Sequence, residues 1–344
     1  MSKTAMALAG PVLLLAEKEI PQCEKLFSNR KIRQMIIPLF IEQILVVFVG
    51  MADTFMVSFV GEAAISGVAL VDQFNLIFLY LSIALGAGGA VIVSQYLGVG
   101  QKGDSCRAAG QMLACAVLLS LIAAAAVWLF HVPLLDFLFG SVADDVMAAA
   151  VAYLVFTVFS YPALGIYNAG AAVQRSLGNT QLTMQISAAS NVINIAGNII
   201  GIFVLHAGIA GVAVPTVLAR WFSALAITAV TFAPTRAVFY RWQDILTFDG
   251  IMLRRILGVA VPNAVESGFF QLMKVGLTSI IALFGTQQIA ANGVAQSIWS
   301  VAAMFGVTMG YVYITVIGRC MGAGLREAAD YYFRKLSRLT LASV

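Results

Sequence analysis

Eight long apolar stretches divide the chain, at about residues 35 to 58, 64 to 98, 108 to 130, 146 to 170, 181 to 204, 208 to 232, 255 to 283 and 288 to 318. Each matches the roughly 20 residues that an α-helix needs to cross the hydrocarbon of a bilayer. The second is long enough for a tilted or extended helix. Alternating strands are absent, which argues against a β-barrel. Only 10 % of the residues are charged, 61 % are hydrophobic and the mean hydropathy is +0.93, whereas a soluble domain carries about 25 % charged residues. The expected fold class is therefore all-α, a polytopic membrane protein.

The connections between these stretches alternate in charge. Lys3, Lys18, Lys25, Arg30, Lys31 and Arg33 precede the first. Every second connection is basic as well: Lys102 and Arg107, then Arg175, then Arg236, Arg241, Arg254 and Arg255, then Arg319, Arg326, Arg334, Lys335 and Arg338. The others hold no Lys or Arg, only Glu62, Asp136, Asp144, Asp145 and the histidines His131 and His206. Basic loops resist translocation, so the amino-terminus is expected in the cytoplasm. The net charge of +4 restates this asymmetry, and no basic-aromatic surface points to nucleic acid.

The chain also repeats itself. Pro38 and Glu42 recur 224 residues later as Pro262 and Glu266, and Gly61, Gly86, Gly98 and Gly100 recur at the same offset as Gly285, Gly310, Gly322 and Gly324. The run Gly67-Val68-Ala69 returns as Gly293-Val294-Ala295 after a two-residue slip. Six spans separate the copies, an even number, so both enter the membrane in the same direction. The expectation is two parallel six-helix bundles related by a pseudo-two-fold axis along the membrane normal, as in transporters that rock about a central site. Residue 344 corresponds to residue 120, so the second bundle is read as incomplete and the parent protein as about 450 residues. The expected divisions are a cytoplasmic tail over 1–34, a first bundle over 35–232, a cytoplasmic linker over 233–254 and the start of a second bundle over 255–344.

The apolar run from Ala5 to Ala16 imitates a signal peptide, but Glu17, Lys18 and Glu19 and the basic run at Arg30 to Arg33 favour a tail. Cys23, Cys106, Cys115 and Cys320 lack metal-ligand spacing, and no structural disulfide is expected. No nucleotide-binding Gly-x-x-x-x-Gly-Lys or Gly-x-Ser-x-Gly signature occurs. A non-enzyme without cofactors, driven by an ion gradient, is the consequence.

Ionisable groups at membrane depth cost several kcal/mol and mark function by default. Here they are Glu42, Asp53, Asp72, Arg220, Glu266 and Lys274. Asp53 lies about 18 residues into the first span and belongs to the outer half of the bundle. A buried carboxylate that exchanges a proton for a cation has the physics of a coupling residue; the alternative is a carboxylate near the surface beside Thr54. On the fifth span Asn194 and Asn198 are four apart and share a face, with Asn191 nearby and Thr216 available from the sixth. Their oxygens suit Na+ or a protonated carboxylate, although such amides also serve as plain interhelical glue. Glu42 and Glu266, each one turn after a proline that permits a kink, are read as facing a central cleft and attracting a cationic substrate; internal pairing with Arg220 or Lys274 is the alternative. Asp72 is placed near the external end, in contact with solvent. Tyr161 and Tyr167 are read as pocket lining, and the 13 Met and 22 Phe residues suit a pliable apolar pocket.

Together these residues resemble the multidrug and toxic compound extrusion transporters. The resemblance runs through Pro38, Met51-Ala52-Asp53-Thr54-Phe55-Met56-Val57, Gly98-x-Gly100, Asn194-Ile195 and Pro262-Asn263-Ala264-Val265-Glu266 to Gly310, and covers the chain from about residue 31. It implies a first-bundle cation site at Asp53, Asn194, Asn198 and Thr216, with possible Na+ there. Many relatives carry Asp where this chain has Asn198, which leaves one carboxylate and favours H+ over Na+ at that site. The family's glutamate in span seven falls on Glu266, which keeps Na+ coupling by the second bundle open.

The function expected is a secondary antiporter of the inner (plasma) membrane, monomeric, exporting small organic cations and drugs in exchange for H+ or Na+. The competing expectations are a flippase for lipid-linked oligosaccharides, which a cationic cavity would favour, and a membrane-embedded lipid-modifying enzyme, which would need a polar cluster at the interface.

Overall fold

A computed structural model describes residues 25–139, 142–282 and 286–343. Cys23, Gly285 and most of the expected tail lie outside the described residues. The chain forms helices α1 (Asn29–Ser58), α2 (Glu62–Val99), α3 (Lys102–Phe139), α4 (Asp144–Ser176), α5 (Thr180–Val204), α6 (Ala210–Thr231), the short α7 (Trp242–Leu246), α8 (Gly250–Ala282), α9 (Thr286–Gly322) and α10 (Arg326–Ser343). No strand occurs among the described residues. The protein is a multi-pass, all-α membrane protein. Among the described residues, seven helical segments are both long and apolar enough to cross a bilayer: α1 to α6 and the Ala303–Gly322 part of α9. The remaining expected span falls on α8, which is 33 residues long and carries Arg254, Arg255, Glu266 and Lys274.

The backbone punctuation follows from side-chain chemistry. Ser28 caps α1 by accepting the Lys31 N–H at 3.2 Å, which satisfies one of the orphan donors of the first turn. Pro38 and Pro262 sit inside α1 and α8, which continue as helices through them. Pro162 has no N–H to offer to the preceding turn of α4, and the helix tightens there into a 3-10 turn over Val158–Ser160. α3 and α4 extend beyond their apolar stretches, so Lys102, Arg107 and Arg175 lie on helices rather than in loops.

Packing in lipid has no hydrophobic drive between helices, so close approach through small residues replaces it. In the first bundle, a Cβ at Gly67 would stand 2.8 Å from Ala149 Cβ, which fixes α2 against α4. Gly201 and Gly211 likewise bring α5 against α6 through mutual backbone contact. Between the repeat copies the pattern is reciprocal. A Cβ on Gly98 of α2 would strike the Arg319 carbonyl of α9, and one on Gly322 of α9 would strike the Gln95 carbonyl of α2. Gly98 and Gly322 are repeat equivalents, and so are Gln95 and Arg319. Residue i thus touches j′ while i′ touches j, the signature of an isologous contact about a two-fold axis. The pseudo-two-fold runs between α2 and α9 at their basic ends. α2 also packs on α8, where a Cβ at Gly88 would lie 2.8 Å from Ala260 Cβ.

Candidate functional site

Toward the carboxy-terminal end of α1, four of the expected residues form one hydrogen-bonded chain. Asn198 Nδ2 donates to Asp53 Oδ1 at 2.7 Å and lies 3.4 Å from Asn194 Oδ1. Asn194 Nδ2 donates to Thr216 Oγ1 at 3.0 Å, and Thr216 in turn donates to the Val212 carbonyl at 2.9 Å. Their helices are in register because Gly197 and Gly201 let α5 lie against Pro215 and Gly211 of α6. Asn194, Asn198 and Thr216 are buried and Asp53 is half-buried. Asp53 opens onto a cavity of about 110 Å³ together with Thr54, Asp72, Tyr153 and Val212. The arrangement presents an anionic oxygen, held by an amide, to an internal space large enough for several waters.

Asp72 enters this cavity from α2, where it accepts the Tyr153 hydroxyl at 3.3 Å. Asp72 is exposed, in keeping with the expected contact with solvent. Arg220 of α6 donates through Nη1 to Ser160 Oγ at 2.7 Å. It pairs with neither glutamate of the repeat.

Glu42 departs from the cleft-facing role. It is 3 % exposed and pairs with Arg175 Nη2 at 2.8 Å. Thr183 Oγ1 donates to its other oxygen at 2.9 Å, and the Tyr167 hydroxyl lies 3.3 Å from the first. A buried carboxylate tolerates its desolvation only with such pairing. Tyr167 therefore holds an ion pair rather than lining an open pocket. Tyr161 is 1 % exposed. It stacks on Phe78 at 4.3 Å and donates to Asn75 Oδ1 at 2.7 Å, so it is core and not pocket. Glu266 is exposed on α8, and Lys274 lies over the Trp299 ring at 4.1 Å.

Arg175 was the residue that sequence reasoning missed. Its guanidinium sits 4.1 Å from the Tyr311 ring of α9, its carbonyl accepts from Thr315, and the Ser176 carbonyl accepts from Arg319 at 2.6 Å. One side chain thereby ties α1 and α4 of the first copy to α9 of the second, on the same basic side as the Gly98 and Gly322 contacts. Its signal was an Arg in a helix-favouring run without a breaker before Leu177 and Gly178.

The model of the MatE family matches residues 38–200 and 262–343, two segments that correspond to the two copies. The chain belongs to the MatE family. An uncharacterized transporter of Bacillus subtilis, YisQ, is 29 % identical over 303 residues, covering 85 % of this chain and 64 % of that protein. A probable multidrug resistance protein NorM of Thermotoga maritima is 24 % identical over 320 residues, 91 % of this chain and 66 % of that one. The chain thus spans just under two thirds of the length of these MatE relatives. Among solved structures, MATE in the bent conformation superposes with a TM-score of 0.82 at 20 % identity, covering 96 % of this chain and 71 % of that one. An outward-facing multidrug resistance MATE transporter of the MOP superfamily gives 0.78 at 20 % identity, covering 94 % and 70 %. The two-bundle MatE fold accounts for the symmetric contact between α2 and α9.

Proposed function

We propose that the full-length protein is a secondary antiporter that exports small organic cations in exchange for protons taken up at Asp53. The observation that supports this most directly is the Asp53–Asn198–Asn194–Thr216 chain, which opens onto an internal cavity from its anionic end. A carboxylate in that setting exists in two forms. Charged, it accepts the Asn198 amide and draws in a cation; protonated, it loses that draw and the spans around it repack. Names such as multidrug resistance protein among the relatives agree with drug-like cargo. The basic side is cytoplasmic by the positive-inside rule, in an inner (plasma) membrane, and the inter-lobe contacts on that side then describe a state closed to the cytoplasm.

The test uses the full-length protein in proteoliposomes loaded with a fluorescent organic cation. Efflux is expected to rise when an inward proton gradient is imposed and to be unaffected by replacing Na+ with choline. A rate indifferent to any imposed gradient contradicts antiport, and a rate that follows Na+ alone assigns the coupling ion to sodium.

A further inference from the structure

A groove of about 390 Å³ runs between α3 and α6 at the basic end of the first bundle. Leu118 and Leu121 of α3 form one wall, Leu225 and Phe232 the other, and Trp242 and Ile245 of α7 close its end. On the α6 side the groove runs from Trp221 to Phe232, about 16 Å of helix, which matches the roughly 15 Å of hydrocarbon in one leaflet of a bilayer. The closing element is held by contacts within the chain. Gln111 of α3 donates to the Asp244 carbonyl at 2.6 Å and to the Thr247 carbonyl, and accepts the Asp249 N–H at 3.2 Å. A Cβ on Gly110 would stand 2.9 Å from that of Asp244, and the Trp242 and Phe232 rings pack with centroids 4.8 Å apart. The short α7 is thereby fixed across the basic ends of α3 and α6.

The linker that carries α7 sets two chemistries side by side. Leu246, Phe248 and Ile251 are 79 %, 81 % and 74 % exposed, and apolar side chains exposed together mark a contact surface. Arg236, Arg241 and Arg254 are exposed as well, and they form no ion pair among the described residues. The nearby acids are engaged: Asp104 lies 3.7 Å from Arg107, Asp249 accepts from the N–H groups of Ile251 and Met252, and Asp244 is half-buried against α3. Apolar groups beside unpaired cations, at the ends of membrane spans and next to a tryptophan, complement a leaflet with anionic headgroups.

We propose that this groove binds one acyl chain of an anionic phospholipid from the leaflet on the basic side. Its phosphate is drawn to Arg241, next to Trp242, and to Arg236, while Leu246, Phe248 and Ile251 seat the linker in the same leaflet. The site shares no lining residue with the Asp53 cavity and does not depend on the antiport reading.

The experiment is native mass spectrometry of the full-length protein released from nanodiscs that contain equal amounts of phosphatidylglycerol and phosphatidylcholine. The wild-type protein is expected to retain one phosphatidylglycerol in preference to phosphatidylcholine. Arg236→Gln and Arg241→Gln, made together at exposed positions, are expected to lower that preference about fivefold for each arginine removed. Leu118→Trp, at an exposed position on the groove wall, is expected to fill the groove and reduce retention of both lipids. Excess glycerol phosphate is expected to leave the bound lipid in place, because the acyl chain holds it. Equal retention of the two lipids by the wild-type protein, a preference unchanged by the arginine variants, retention unchanged by Leu118→Trp, or displacement by glycerol phosphate each overturns the inference. A lipid-free dimer assigns the groove to a second copy of the chain and overturns it as well.

Discussion

Glu42 and Glu266 occupy the same place in two copies of one repeat, four residues after a proline, and their surroundings differ completely. Glu42 is buried and carries three donors, from Arg175, Thr183 and Tyr167, whereas Glu266 lies on α8 and is exposed in a chain that spans 64 % of the length of its relative YisQ. The copies also differ at Asp53, whose counterpart at the repeat offset is Leu277. Duplication preserved the scaffold, seen in the reciprocal Gly98 and Gly322 contacts, while the polar chemistry became lobe-specific.

Substitutions can break this comparison in graded steps. Arg175→Ala leaves the Glu42 carboxylate buried without its cation, and loss of one partner of a buried pair costs about 3–5 kcal/mol; a large fall in thermal unfolding midpoint is expected, which Glu42→Gln made in the same chain should partly restore. Gly322→Val forces a branched side chain into the Gln95 carbonyl, and overpacking of this kind costs about 1–3 kcal/mol. Its signature is loosened contact between α2 and α9, read as faster cross-linking of cysteines placed on the opposite side of the two bundles. Tyr161→Phe strips the donor from Asn75 Oδ1 inside the core, for about 1–3 kcal/mol from an unsatisfied buried acceptor, with transport of the folded fraction unchanged. Glu266→Gln made in this 344-residue chain, where the position is exposed, is expected to stay within about 0.5 kcal/mol of the parent. Equal effects of Glu42→Gln and Glu266→Gln on the unfolding midpoint would show the lobes to be energetically equivalent after all.

Much of this was legible in the sequence, and for identifiable reasons. The all-α membrane class and the parallel repeat followed from apolar length and from Pro38/Pro262 and the glycines, because lipid admits so few backbone solutions; of the eight expected spans, seven are long and apolar enough among the described residues. The Asn194, Asn198 and Asp53 cluster was legible because residues four apart share a helix face. Arg175 was not, since an apolar window ends where a helix need not; α4 continues to Ser176 and carries that cation back under the bundle. Its partner Glu42 is 133 positions away, a separation over which spacing says nothing. Tyr161 shows the same gap for aromatics: a tyrosine within a span buries equally well in a core or a pocket, and only its contact with Asn75 decides.

The proposed ion coupling by the first bundle is tested most directly by comparing Asp53→Asn with Glu266→Gln in the full-length protein under an imposed proton gradient. Efflux of a fluorescent organic cation from proteoliposomes is expected to lose its dependence on the gradient in Asp53→Asn and to keep it in Glu266→Gln. Retained coupling in Asp53→Asn, or its loss in Glu266→Gln alone, would contradict the claim.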